Sequence, residues 1–521
     1  MIVYLAVKDK RFPALSGRDR TGRGYGLAWG AVMPLATPHR RHWPRSPVVG
    51  KTALGIRRHP GYINAMSTDN TDWLGVDFGT SNSAVAFLDQ GQVRQVRWQD
   101  DQGADSGTLP TAVFFDHDSR QMAIGWQAGM ALRDGADGRF MRSLKRVLGT
   151  PLMAEKRAIG GKQRDFFGII GDFLAALKAA AEAAAGRPFR HVVAGRPVFF
   201  HGDDPARDAQ AQADLLTCYR QAGFHQVVFV PEPEAAAVTN RQYLSDNALG
   251  MVVDIGGCTS DFTVFQVNPE GAAAPGRNRL GGPGGTRGPG GPGGIKMIAS
   301  HGARIGGTDF DSAINFHAFM PRFGKGEPLS QLFSRETLPA PNTVFLDLAT
   351  WEKIPFLYSA ETLRTVQEYR QRAVNKPPFE RLYQVLEAQL GHDLARLAEQ
   401  GKITMNASAD PDITLDFAAL QKGFQLSLAR PLFDRLMQPF QAEITAAMQT
   451  TLGQAGYPPE AVSDVVFVGG SSLMDFVSSA STSVFPAATV HRQAIFTSVV
   501  DGLALLSASD LAATAAAATA D

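Results

Sequence analysis

Short apolar runs alternate with longer amphipathic stretches along most of this chain. The first clear run, Leu74-Gly-Val-Asp-Phe-Gly79, passes through Thr80-Ser-Asn82 into a second alternating run, Ser83-Ala-Val-Ala-Phe87. That pattern reads as strand, tight turn, strand. Thr108-Leu-Pro-Thr-Ala-Val-Phe-Phe115 is again β-rich, and 121–150 reads as helical, ending in Ser143-Leu-Lys-Arg-Val-Leu-Gly149. Over 165–186, Phe166, Ile169, Ile170, Phe173, Leu174 and Leu177 recur at helical spacing, with Gly186 placed for a C-terminal cap. Strands at 191–195 and 226–230 flank a helix at 205–223. Strands alternating with helices predict an α/β architecture.

The run Gly250-Met-Val-Val-Asp-Ile-Gly-Gly-Cys-Thr-Ser-Asp-Phe-Thr-Val-Phe265 repeats the opening design. Val76-Asp77-Phe78-Gly79 returns as Val253-Asp254-Ile255-Gly256, the two acids 177 residues apart. Either turn alone fits an ordinary hairpin. Their repetition at domain-scale separation predicts two similar halves facing one another. Backbone N–H groups and hydroxyls in such turns can cradle phosphate oxygens, and the acids can hold a hydrated metal ion. Two turns can therefore grip one polyphosphate from opposite sides. Further on, Arg304-Ile-Gly-Gly-Thr-Asp-Phe-Asp311 leads into a helix, 321–380 has no clear pattern, and 380–402 predicts one long helix carrying Glu399 and Lys402. Val465-Val-Phe-Val-Gly-Gly-Ser-Ser472 reads as a buried strand, a glycine turn and a helix, and 494–508 as a last apolar helix.

Composition sharpens this picture at a few points. The chain has 521 residues, 44% hydrophobic and 19% charged, as expected of a globular protein with sizeable cores. Its net charge of +1 hides a split, because residues 1–65 carry twelve Lys/Arg against Asp9 and Asp19. That stretch is rich in Arg, Gly and Pro and has no sustained period. We expect it to be a disordered leader or an over-extended start, with the natural start at Met66; the rival is a nucleic-acid-binding arm. Residues 271–294 hold eleven Gly and four Pro and read as a flexible surface insertion. Within them, Gly288-Pro-Gly-Gly-Pro-Gly293 matches dinucleotide-binding glycine spacing, but its prolines remove the N–H donors that motif needs. Cys218 and Cys258 give neither a disulfide framework nor a metal pattern, which suits a reducing cytosol. No apolar run is long enough to span a bilayer. His191, His201 and His225 lack ligand-like spacing. The Ala-rich end, 511–521, reads as a disordered tail.

Taken in order, these motifs resemble the nucleotide-binding domain of the Hsp70 chaperones, within the actin, sugar-kinase and Hsp70 ATPase superfamily. They look closest to the short bacterial YegD-like branch, over about residues 72–508. The resemblance implies a duplicated ribonuclease-H-like, two-lobed α/β fold with an ATP cleft between the lobes. Lobe I would be 70–248 plus 492–510, and lobe II 249–491. It implies ATP/ADP and Mg2+ as cofactors and slow ATP hydrolysis driving a conformational switch in the cytoplasm. A J-domain protein, an exchange factor and unfolded clients would be partners, with no membrane and no specific nucleic acid.

Residue by residue, Asp77, Gly79, Thr80, Ser81 and Asn82 match the first phosphate motif, and Asp254, Gly256, Gly257, Cys258, Thr259 and Asp261 the second. Lys145 matches the family's catalytic lysine, and Glu232, in Pro231-Glu-Pro-Glu-Ala-Ala-Ala, the acid organising the magnesium–water shell. The metal would sit mainly through water on Asp77, Glu232 and Asp254. Without that context Lys145 reads as a solvated helix lysine and Glu232 as a helix-start residue. Gly306 and Gly307 match the element after the second phosphate motif. Glu399 and Lys402 match the pair that clasps adenosine, and Gly469, Gly470 and Ser471 the second adenosine motif. Three departures stand out. Leu473 replaces the arginine that stacks on adenine, which removes a cation contribution. Cys258 replaces a turn glycine. The family's β-sandwich peptide-binding domain and lid are expected to be absent, which argues against conventional client capture. A small-molecule kinase and an actin-like filament ATPase are the rival readings.

Overall fold

The computed structural model describes residues 5–6, 72–100, 103–159, 161–201, 204–267, 294–331, 336–493 and 495–507. The expected leader, apart from the strand Leu5–Ala6, lies outside the described residues, as do the insertion up to residue 293 and the tail.

Trp73–Phe78 (β1), Asn82–Asp89 (β2) and Gln92–Gln95 (β3) form an antiparallel meander. A small antiparallel sheet follows, from Ala112–Asp116 (β4), Met122–Ile124 (β5) and Gly138–Arg142 (β6), packed by helix Gly125–Arg133 (α1). The single helix expected over 121–150 is therefore two strands, a nine-residue helix and a 3-10 turn, Leu144–Val147. Gly125 and Gly135 at φ +59 and +69 break the helical run at both ends. Next come Phe166–Ala185 (α2), His191–Arg196 (β7), Pro205–Gln221 (α3), Gln226–Pro231 (β8) and Glu232–Asn240 (α4). The C-cap of α2 is the expected Gly186, at φ 68, and Asp165 caps the other end by accepting from Gly168 N. β7 lies parallel to β1 and β8, giving the sheet order β8-β7-β1-β2-β3.

The second sheet repeats this topology. Leu249–Ile255 (β9), Ser260–Val267 (β10) and Ile295–Ala303 (β11) are the antiparallel meander. Helices Gly307–Ile314 (α5), Thr343–Ala349 (α6), Ala360–Arg372 (α7), Lys376–Glu387 (α8), Gly391–Ala407 (α9) and Arg430–Ala455 (α10) follow. The long helix expected over 380–402 is broken between α8 and α9, where Gln389 takes φ 58. Asp464–Val468 (β12), Asp475–Val484 (α11), Thr489–His491 (β13) and Ser498–Leu506 (α12) are the last elements among the described residues. β12 is parallel to β9 and β13 to β12, so the order is β11-β10-β9-β12-β13.

Each sheet has its own apolar core. A third, smaller core joins them: Val193, Val230 and Ala235–Ala237 pack with Val252, Val466, Val499 and Leu503. It is built on α4 and α12, which cross at Gly502, where an added methyl would overlap the carbonyl oxygen of Ala235. A glycine here lets two helix backbones touch.

Candidate functional site

The two hairpin turns meet in the lining of a cleft of about 1980 Å³. A methyl on Gly257, in the β9–β10 turn, would overlap Ser81 Oγ, in the β1–β2 turn. The turns are thus in contact, as two halves of one cradle must be. Each is braced from behind. Thr111 N donates to Ser81 O at 2.8 Å, and Ser83 Oγ and Thr111 Oγ1 are 2.8 Å apart. The N-terminus of α5 holds the other turn, with Gly307 N on Gly256 O at 3.0 Å and Thr308 N on Gly257 O at 2.8 Å.

Every residue matched to a phosphate, metal or adenosine motif lines this cleft except Gly306. Gly306 sits behind the second turn, packed on the backbone of Gly257 and Cys258. Cys258 is buried, its Sγ 3.6 Å from Thr308 Oγ1. Among the described residues no group of three or more His, Cys, Asp or Glu is placed to ligate a metal.

Lys145 is carried not by a helix but by the 3-10 turn after β6, which the left-handed Ser143 (φ 57) starts. Its ammonium is buried and pairs with Glu232 Oε1 at 2.6 Å. Glu232 opens α4, so its carboxylate also meets the positive helix end. Asp254 and Asp261 are direct cross-strand partners and share one face of the sheet; the matching pair in the first hairpin is Asp77 and Ala84. Burial, then the charge of Glu232, pushes both Asp77 and Asp261 up to about 7, with Lys145 opposing. Asp254 is raised well above its usual range by burial, then by Glu232, Asp261 and Asp77. Four acids crowded around one ammonium hold protons that a bound divalent cation would displace. With no three side-chain ligands converging, such an ion fits here through water and phosphate oxygens.

These raised values carry a pH dependence. Between the ordinary carboxylate value of 3.8 and about 7, the folded protein holds protons that the unfolded chain has shed. Their stabilisation is complete below the unfolded value and is lost as pH rises through about 7. The metal-free protein is therefore expected to melt at a lower temperature at about pH 8 than at about pH 6, and Asp261→Asn to flatten that slope. Thermal melts across this range check it; identical midpoints for the wild type at both ends would refute it.

At the other end of the cleft, α9 presents Glu399, Lys402 and the exposed Ile403. Beside this helix, where Asn406 Nδ2 donates to its carbonyl at 3.2 Å, Leu473 is 41% exposed and also lines the cleft, an apolar surface where the resemblance leads one to expect an arginine. Lys402 does not reach freely into the space: its Nζ is 2.9 Å from Asp311 Oδ1 and donates to Gly307 O at 3.3 Å. Burial pushes Asp311 up to about 7, Lys402 pulling it down, Glu399 raising it and Arg142 lowering it. Sequence reasoning missed Asp311 as the partner of Lys402. The Gly-Gly-Thr-Asp-Phe-Asp run contains it, but nothing local marks which of its two acids turns inward.

A duplicated mixed sheet and an acid-lined cleft define the class, an α/β protein. The family model described as "Hsp70 protein" matches residues 73–282 and 385–493, more than half of the chain. The chain belongs to the Hsp70 family. It is 24% identical over 425 residues to "Chaperone protein HscA" of Pectobacterium carotovorum subsp. carotovorum, covering 78% of this chain and 52% of that protein. It is also 24% identical over 411 residues to "Chaperone protein DnaK" of Methanothermobacter thermautotrophicus, covering 78% and 54%. The chain spans about half the length of the curated relatives it matches. No helix among the described residues is long and apolar enough to cross a membrane.

Proposed function

We propose that this is an Hsp70-type, YegD-like ATPase that binds Mg-ATP between two lobes, residues 70–248 with 492–510 and residues 249–491, and hydrolyses it slowly to drive a conformational switch. The single observation that carries the reading is the meeting of the two turns at Ser81 and Gly257 beside the Lys145–Glu232 pair. Backbone N–H groups and the hydroxyls of Thr80, Ser81 and Thr259 would hold the phosphates. Lys145 would steady the γ-phosphate, and a buried acid with a value near 7, Asp261, can accept a proton from water at neutral pH. A magnesium ion, reached through water from Asp77, Glu232 and Asp254, would supply charge neutralisation of the phosphates. Glu399, Ile403 and Leu473 would enclose the adenosine. Positioning and charge are what such a reaction asks of the protein. Hydrolysis would let the lobes part at the α4–α12 crossing. Chaperone activity, with a J-domain partner, an exchange factor and unfolded clients, belongs to the same proposal.

The test is steady-state ATP hydrolysis with and without an unfolded peptide and a J-domain protein. Turnover that rises when both are present supports the full reading; no nucleotide binding or hydrolysis at all removes it.

A second reading, a small-molecule kinase, has one observation in its favour. The same cleft is also lined by Phe199, Phe200, His201, His301 and Arg304, and its volume of about 1980 Å³ leaves room for a phosphoryl acceptor. ADP formation stimulated by sugars or polyols would favour it.

A further inference from the structure

Lys145 stands on a four-residue 3-10 turn, Leu144–Val147, and not on a regular element. Such a turn has poor hydrogen-bond geometry of its own, so other groups must fix the ammonium beside Glu232. The turn closes on Leu148, whose N donates to Lys145 O at 3.4 Å. The next peptide is held at both its polar atoms by side chains from elsewhere in the chain. His201 Nε2 lies 2.8 Å from Leu148 O, 53 positions away. Gly149 N donates to Asp214 Oδ2 at 2.8 Å, 65 positions away. Leu148 O and Gly149 N belong to one peptide plane, and with both tied the plane cannot rotate. A carbonyl oxygen only accepts, so Nε2 of His201 carries the hydrogen.

The clamp is built into α3 and the loop that leads to it. Asp214 is buried, and its other oxygen accepts from Gln210 Nε2, one turn earlier, at 2.7 Å. The backbone N of Phe200 and of His201 donate to Asp208 Oδ1 at 2.5 and 3.3 Å. Arg196, at the end of β7, pairs with the same acid at 3.0 Å. Arg207 Nε donates to Gly149 O at 3.3 Å. Gly149 takes φ 71, and a methyl there would overlap the carbonyl oxygen of Arg207. Only glycine lets the turn come this close to α3.

We propose that His201 and Asp214 are positioning residues for Lys145: by pinning the Leu148–Gly149 peptide they hold the turn, and with it the ammonium, where it meets the γ-phosphate. The proposal rests on the ATPase reading of the cleft. His201 also lines the cleft, so the rival is a direct contact between His201 and the ligand. A positioning role acts through Lys145 and vanishes without it; a ligand contact does not.

The experiment is single-turnover ATP hydrolysis by the full chain, with nucleotide affinity and a thermal melt measured for every variant. His201→Ala and Asp214→Ala are each expected to slow hydrolysis roughly 10- to 100-fold, the cost of a reacting group displaced by about an ångström, with Kd changed by less than about threefold. His201→Gln keeps an N–H donor and Asp214→Asn keeps an acceptor oxygen, and both are expected to recover most of the rate. In a Lys145→Ala background neither alanine change is expected to slow hydrolysis further, because both act through the lysine. Wild-type rates in the folded alanine variants, no recovery in the glutamine and asparagine variants, a loss of affinity matching the loss of rate, or further slowing in the Lys145→Ala background would each overturn the clamp and leave the ATPase reading standing. If Asp214→Ala does not fold, the half-buried His201 carries the same comparison through its own two variants. A wild type that does not hydrolyse ATP overturns both.

Discussion

Lys145→Ala is expected to lower single-turnover ATP hydrolysis by roughly 10²- to 10³-fold, the usual cost of removing one preorganised charge from a transition state, while nucleotide binding survives. Lys145 is the one ammonium that opposes the raised values of Asp77, Asp254 and Asp261, and it holds Glu232 at 2.6 Å. Its loss leaves Glu232 largely buried without that partner, so some stability goes too. Two controls separate the effects. Lys145→Met keeps the stem and loses the charge, and a thermal melt of each variant reports folding. Hydrolysis at the wild-type rate in folded Lys145→Ala would remove the lysine from the chemistry.

Gly502→Val is expected to cost at least about 3 kcal/mol of stability, at the upper end of overpacking effects. A side chain at 502 meets the backbone carbonyl of Ala235, which no rotamer change can move. Either α4 and α12 separate or one of them breaks. Both outcomes open the core shared by the two sheets, in which Ala235, Val466 and Leu503 are fully buried. Gly129→Ala on α1 is the matched control, since nothing lies within 4 Å of the added methyl; it is expected to be neutral or slightly stabilising. Denaturant unfolding of the two variants side by side decides the point. A Gly502→Val protein as stable as the control would mean that the helices tolerate separation and that the crossing is not tight.

Much of the architecture was legible from local pattern. α2 announced itself because its apolar stripe and both its caps are encoded within 22 consecutive residues, Asp165 to Gly186. The stretch 121–150 misled because its apolar residues suit a helix, whereas β6 is held as a strand by pairing with β4 some 25 residues earlier, and tertiary pairing overrides propensity. The break at Gln389 was hidden for a similar reason: α8 and α9 each carry a helical period, and only their different packing partners show that they are two.

By itself the sequence determined the two hairpins, their acids and their duplication, because period-two alternation and a glycine turn are local properties. All but one of the residues it matched to a phosphate, metal or adenosine motif line the cleft. Only the tertiary structure decided which charges meet. Lys145 finds Glu232 87 positions away, Lys402 finds Asp311, and Arg142 finds Trp351. Those pairings exist because β7 and β12 close their sheets in parallel and because α4 and α12 cross at Gly502. No periodicity along the chain encodes such contacts; they follow from the packing of whole elements, and that packing turns a row of separate motifs into one site.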